Sequence, residues 1–304
     1  MSYVKIAVVI PTVQRPDALD RCLTALEGQS FPAWQILVCP PREVLQDPGL
    51  RISHPAATFV PSPKGAAAQR NAGLRMVDPE VDVVVFLDDD SVPRDDHLEE
   101  VARIFDEVPG VIAISGKVAR DGAAEHVELS PEEIREALES SRDPETPLAG
   151  GDVDELYGCN IAVRRSALVE VAPDGRVFDE CLPLYSAFED LDLARRLVAM
   201  GSGRILYAPR CVVVHQGHQS GGRTQHVRYG YSSVMNLEYL RRKGSLGFND
   251  VLPRIARSVA ANSVKAVRGA DTVGRRSRLR GQFLAFADLL RGRVTPERIT
   301  ELGD

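Results

Sequence analysis

Asp82-Val83-Val84-Val85-Phe86-Leu87-Asp88-Asp89-Asp90-Ser91-Val92-Pro93 is the stretch on which the fold turns. Its apolar, mostly β-branched run is that of a central strand covered on both faces, as in a parallel sheet. The strand opens directly into three carboxylates. Upstream, Val4 to Ile10 is a second such run, ended by Pro11, and Leu19, Cys22, Leu23 and Leu26 mark an amphipathic helix closed by Gly28. Ile36 to Cys39 and Ala57 to Val60 read as further strands, and Lys64 to Met76 as a helix entered through Gly65. Downstream, Leu98, Val101, Ala102 and Phe105 define a helix with Asp95 and Asp96 expected in its first turn. Glu132 to Ser140 reads as a surface helix and Asp143 to Gly151 as a loop. Ala187 to Met200 predicts a helix stopped by Gly201, and Arg204 to Val214 supplies strands ending at His215. Strands alternating with helices give an α/β chain with a Rossmann-like, mostly parallel sheet flanked by helices and ligands at the carboxyl ends of its strands.

The 304 residues, 44% hydrophobic and 26% charged, exclude a disordered chain. No stretch approaches the roughly 20 apolar residues that span a bilayer. Met1 to Lys5 lacks the features of a secretion signal, and five scattered cysteines without a Cys-x-x-Cys pattern read as reduced thiols, so a cytoplasmic chain is expected. The net charge of -6 conceals an asymmetry. From Gly221 onward there are 16 Lys and Arg against 7 Asp and Glu, which leaves the first 220 residues at -15. An acidic body excludes nucleic acid as a partner.

Three carboxylates at one strand end repel one another, and a divalent cation with hard oxygen ligands is the natural compensation. An acidic turn capping the next helix reads the same residues more simply. Gly65 to Gly73 carries small residues that let backbone approach a ligand, Arg70 offers a forked guanidinium to phosphate, and Lys64 stands just before them. Phe188-Glu189-Asp190-Leu191-Asp192 places carboxylates in a first helical turn, where the dipole keeps a general base ionised. His215, at a strand end with His218 three residues on, is either a structural histidine or a metal ligand beside a carboxylate.

Taken in order, these segments resemble the family 2 glycosyltransferases of the GT-A fold, over roughly residues 4 to 220. The matching pieces are Val9-Ile10-Pro11-Thr12-Val13-Gln14-Arg15-Pro16, Gly65 to Gly73, Phe86 to Pro93, Gly158 to Arg165 and Phe188 to Asp190. The resemblance implies a metal-dependent inverting enzyme that moves a sugar from a nucleotide-diphosphate sugar to a glycan or lipid-linked acceptor. It assigns Pro11, Thr12, Arg15, Lys64, Arg70, Asp88 and Asp89 to the donor, and Asp90 and His215 to Mn²⁺ or Mg²⁺. Asp190 becomes the catalytic base, with Glu189 and Asn160 near the acceptor. One departure stands out. Such chains commonly carry an acidic pair after the second strand that reads the nucleobase, whereas this strand ends Cys39-Pro40-Pro41-Arg42-Glu43. Glu43, Asp47 or main chain must then serve, and uridine, thymidine and guanosine donors stay open.

The expected organisation is a catalytic body over 1–220 and a basic helical extension over 221–304. In the body, about 1–118 bind the donor and about 150–220 the acceptor. Basic residues between apolar positions in Val251 to Val267 and Leu279 to Leu290 fit either an anionic membrane surface, at the inner face of the membrane, or a homodimer contact. Surface polysaccharide or glycolipid assembly would suit a membrane-facing enzyme. A non-catalytic nucleotide- or glycan-binding relative is the alternative. A nucleotidyltransferase is disfavoured because Pro11 to Pro16 is not a glycine-rich, basic loop.

Overall fold

The computed structural model describes residues 4–13, 15–45, 54–217, 225–267 and 274–303. Gln14, Asp47, His218, Arg268 and the glycine-rich stretch 218–223 lie outside the described residues. The first strand, β1 (Ile6–Pro11), is wholly buried. Helix α1 (Pro16–Glu27) starts on Pro16, whose missing N–H costs nothing there, and buries Leu19, Cys22, Leu23 and Leu26. Next come β2 (Gln35–Cys39), the single turn α2 (Arg42–Leu45) and β3 (Ala57–Phe59), which extend the sheet to one side of β1. After α3 (Ala66–Leu74) the chain returns to the other side of β1 as β4 (Val83–Leu87). All five β4 side chains are fully buried, each contributing about 1.5–3 kcal/mol. That anchors the acidic turn beyond it.

The second half contains β5 (Ser91–Pro93), α4 (His97–Glu107), β6 (Val111–Asp121), the short α5 (Gly122–Glu125) and α6 (Pro131–Ser140). It closes with β7 (Asn160–Arg164), α7 (Arg165–Val171), α8 (Glu189–Met200) and β8 (Arg204–His215). The strand order is β3-β2-β1-β4-β7-β6-β8-β5. Strands β1 to β4 are mutually parallel and β6 is parallel to β8, while β7 and β5 run antiparallel to their neighbours. The fold is therefore the expected mixed, mostly parallel sheet flanked by helices. Its topological switch point lies between the carboxyl ends of β1 and β4, the crevice where such sheets bind ligands.

Several local expectations shift. Helix α4 begins at His97, so Asp95 and Asp96 precede its first turn, and Asp96 bonds Arg94 Nε at 2.5 Å. The cause is β5, which carries the chain along β8 before the helix begins. Strand β8 is one element with a register shift where Pro209 interrupts donation to the ladder. The small residues of α3 serve packing rather than ligand approach: Ala67, Ala72 and Gly73 lie against β1 and β2. A Cβ on Gly73 would come within 2.5 Å of Val9 and 2.8 Å of Cys39 Sγ.

The extension forms α9 (His226–Lys243), α10 (Phe248–Val267), α11 (Arg275–Leu290) and a closing 3₁₀ turn, Pro296–Glu301. Gly230 and Gly281 let α9 and α11 touch backbone to backbone, since a Cβ on either would meet a carbonyl oxygen at 2.0 Å. The extension also grips the body. Asn236 donates to Ala187 O at 3.1 Å, and Lys243 pairs with Asp179 and Asp192 at 2.7 and 2.9 Å. Among the described residues no helix is long and apolar enough to cross a membrane.

Candidate active site

The site grows out of the β4 terminus. Antiparallel pairing of β5 with β8 sets Ser91 opposite His215, and parallel pairing of β6 with β8 sets Asp121 opposite the same histidine. His215 Nε2 thus lies 3.2 Å from Asp90, and its Nδ1 lies 3.0 Å from Asp121. The ligating atoms of Asp88, Asp90 and His215 all fall within 4.8 Å of one another. Burial pulls the His215 imidazole down, but its hydrogen bonds to Asp121 and Asp90 outweigh this and carry it up to about 10. Asp121 shifts the other way. Burial raises it, yet the His215 and Tyr157 hydrogen bonds hold it well below the usual carboxylate range.

The three aspartates face different partners. Asp89 is buried and turned to the loop after β1, accepting from Thr12 Oγ1 at 2.7 Å and Val13 N at 3.3 Å. Burial pushes it up to about 7, against the pull of Arg15 and with the push of Asp90. Arg15 lies 3.0 Å from Asp90 and 3.3 Å from Asp89. Asp88 accepts from Arg70 Nη2 at 2.7 Å. The same Arg70 nitrogen reaches Gly158 O at 3.1 Å, and its other arm pairs with Glu189.

Arg70 is held by α3 between two neighbours aimed elsewhere. Gln69 donates to the carbonyls of Thr12 and Cys39, tying the ends of β1 and β2 together, and Asn71 exchanges two hydrogen bonds with Phe178. The chain ahead of α8 is strained: Leu184, Ser186 and Phe188 all have positive φ, at 59°, 53° and 73°. Such clusters in non-glycine residues persist only where surrounding bonds over-determine them. Here Leu184 O accepts from Ala66 N, and Ser186 Oγ accepts from Ala67 N while donating to Leu182 O. The strain delivers Glu189 and Asp190 at the start of α8, two residues later than the sequence pattern places it. Asp190 accepts from Gly158 N at 3.0 Å and Leu191 N at 2.8 Å. Burial raises its pKa from 3.8, only partly opposed by those amides and Arg70. The helix start therefore does not leave it an ordinary, readily ionised carboxylate.

Thr12, Arg15, Arg70, Asp88, Asp89, Asp90, Glu189, Asp190 and His215 thus join in one connected network, with Pro11 at the β1 end. Two expected members stand apart. Asn160 is buried, with its amide donating to Lys117 O and Cys211 O, so it braces β6 against β8. Lys64 is exposed before α3. Glu189, expected beside the acceptor, is buried against Arg70.

Glycosyltransferase like family 2, as a sequence family, matches residues 4–231. The chain belongs to this family. No curated protein sequence matches it. Among solved structures it is similar to mannosyltransferase PcManGT from Pyrobaculum calidifontis, in complex with GDP-Man and Mn²⁺. The TM-score is 0.54 at 18% identity, over 95% of this chain and 87% of that one. It is likewise similar to S. aureus TarS 1-349 in complex with UDP-GlcNAc, with a TM-score of 0.50 at 15% identity over 95% and 93% of the two chains. At these identities the likeness establishes the shared fold.

For this family 2 chain, two carboxylates and an imidazole form a donor set that fits a divalent cation. The nitrogen ligand suits Mn²⁺ better than Mg²⁺, which favours oxygen and water. Asp121 is the residue that sequence reasoning missed. It would fix the His215 tautomer by holding Nδ1, leaving Nε2 for a metal. Asp121→Asn is expected to weaken Mn²⁺ binding about 10–100-fold, and to lower the melting temperature as the ionic bonds to His215 and Tyr157 are lost. Titration calorimetry with Mn²⁺ alone checks this, and unchanged affinity would remove Asp121 from the centre. The nucleobase side keeps its departure. Pro40 and Pro41 pair with Ser62 at the end of β2, and Glu43 is exposed on α2.

Proposed function

We propose that the chain is a metal-dependent, inverting glycosyltransferase acting on a nucleotide-diphosphate sugar. One observation carries this reading: Arg70 joins Asp88 of the candidate metal cluster to Glu189, whose neighbour Asp190 is a half-buried carboxylate fixed by two backbone amides. In the proposed roles, Pro11, Thr12 and Arg15 border the donor nucleotide. Asp88, Asp90 and His215 hold Mn²⁺ or Mg²⁺, which when bound neutralises charge on the departing diphosphate. Arg70 adds a second positive charge on the same side. Asp190 takes the acceptor hydroxyl proton as that oxygen bonds to the anomeric carbon. The bond to the diphosphate breaks on the opposite face, releasing a nucleoside diphosphate and inverting the centre. Asp89 and Asn160 act through positioning, the one on the loop after β1 and the other between β6 and β8.

Because Asp190 must be ionised to accept a proton, activity falls as pH drops through its folded-state pKa. Burial has raised that value above 3.8, so the acid limb of kcat/KM is expected at higher pH than for an unperturbed aspartate. A pH profile that stays flat down to about 4 would contradict the assignment.

The acceptor class is a glycan or lipid-linked glycan in surface polysaccharide or glycolipid assembly, at the cytoplasmic face of a membrane. The absence of an acid at the end of β2 favours a second reading, a non-catalytic nucleotide- or glycan-binding protein. Single-turnover donor cleavage with Mn²⁺ separates the two. Release of nucleoside diphosphate supports the enzyme, and intact bound donor supports the binding protein.

A further inference from the structure

The basic tail divides into an inner and an outer set of charges. Arg254 pairs with Glu155, Arg275 donates to Asn262 at 3.1 Å, and Arg278 stacks 4.5 Å from the Tyr229 ring centre. Arg275 and Arg278 hold the extension together, and Arg254 ties it to the body. Arg257, Lys265, Arg276, Arg280 and Arg291 instead lie on exposed positions of α10, α11 and the residue after it. The acids divide differently. Asp250 and Asp288 are the only carboxylates in the two helices, and both turn inward. Asp250 meets Arg195 at 2.8 Å, and buried Asp288 accepts from Tyr231 and pairs with Arg298. The outer surface of α10 and α11 therefore carries cations and no exposed carboxylate.

Large apolar side chains stand on that same outer surface. Phe283 and Leu290 on α11 are 67% and 90% exposed, and Leu252 and Val264 on α10 are about half exposed. Helical spacing accounts for the arrangement. Val251, Asn262 and Ala266 turn α10 inward, which leaves Leu252, Ala256, Ala260 and Val264 on the opposite side. A helix that exposes bulky apolar groups between cations has the pattern of an interfacial helix. We propose that the outer faces of α10 and α11 dock on an anionic bilayer, with Phe283, Leu290 and Val264 entering the headgroup boundary and the cations meeting lipid phosphates. Charge complementarity selects this occupant. A second copy of the chain meeting the same face about a two-fold axis would set like charges against each other. The proposal goes beyond sugar transfer and needs no catalytic residue.

Sedimentation of the full chain with vesicles tests it. One set is phosphatidylcholine, and the other contains about one third phosphatidylglycerol. Binding is expected only to the anionic set, and to weaken as ionic strength approaches about 1 M. Val264→Ser with Phe283→Ser is expected to reduce partitioning about tenfold, and Arg257→Glu with Lys265→Glu by a similar factor, with the melting temperature unchanged. Equal partitioning to both vesicle sets, or full binding by both double variants, would overturn the proposal. So would a dimer in sedimentation equilibrium that Phe283→Ser disperses. None of these readouts depends on transfer, so docking and the catalytic reading fail separately.

Discussion

Asp190→Asn transfers sugar at least 10²–10⁴-fold more slowly than the parent while still binding Mn²⁺ and the donor; this is the expected result for loss of a general base. The substitution keeps the side-chain volume and removes the proton acceptor. It also has a local structural cost. Asp190 accepts one backbone N–H on each oxygen, and an amide can accept only on one. Either Gly158 N or Leu191 N loses its partner, at about 1–3 kcal/mol. Two measurements separate that cost from chemistry. A lower melting temperature reports the lost hydrogen bond, whereas donor affinity measured below the melting transition reports the intact nucleotide site. Near-parental turnover would end the role assigned to Asp190.

Asp90→Ala is the second large effect, an expected loss of about 10²-fold or more in Mn²⁺ affinity. Asp90 lies between Arg15 and His215, and Asp88 and His215 complete the possible ligand set. Removing it leaves two ligands, too few to retain a divalent ion against water. Arg15 keeps Asp89 and His215 keeps Asp121, so neither cation is abandoned and the fold is expected to survive. Electron paramagnetic resonance of free Mn²⁺ reads the affinity directly. An unchanged titration curve would place the ion elsewhere.

Much of the donor half was legible in sequence, because its strands are short apolar runs and its helices carry a clear stripe. The β4 run and the acids beyond it sit where their pattern implies. What sequence could not supply came from pairing across distance. Asp121 and His215 are separated by 94 positions and meet only through the β6 to β8 register. Nothing local in Val118-Ala119-Arg120-Asp121 marks a metal-site carboxylate. The surroundings of Glu189 and Asn160 were hidden for the same reason. The direction of a side chain depends on which element covers it, so Arg70 claims Glu189, and the gap between β6 and β8 claims Asn160. Strain at Leu184, Ser186 and Phe188 was invisible because none of them is glycine, the residue whose presence usually signals a left-handed backbone. Likewise the glycine and alanines of α3 were ambiguous between ligand approach and sheet packing, and packing prevailed. Arginines of the tail looked alike in sequence, yet Arg254, Arg275 and Arg278 are internal braces.

The crevice between β1 and β4 is expected to bind a nucleotide-diphosphate sugar through a divalent ion held by Asp88, Asp90 and His215. A thermal-shift panel of uridine, thymidine and guanosine diphosphate sugars, each with Mn²⁺ and with chelator, tests it most directly. At least one donor is expected to raise the melting temperature with Mn²⁺ present and to lose that effect in chelator. Stabilisation that is equal with and without the metal, or absent for every donor, would contradict it.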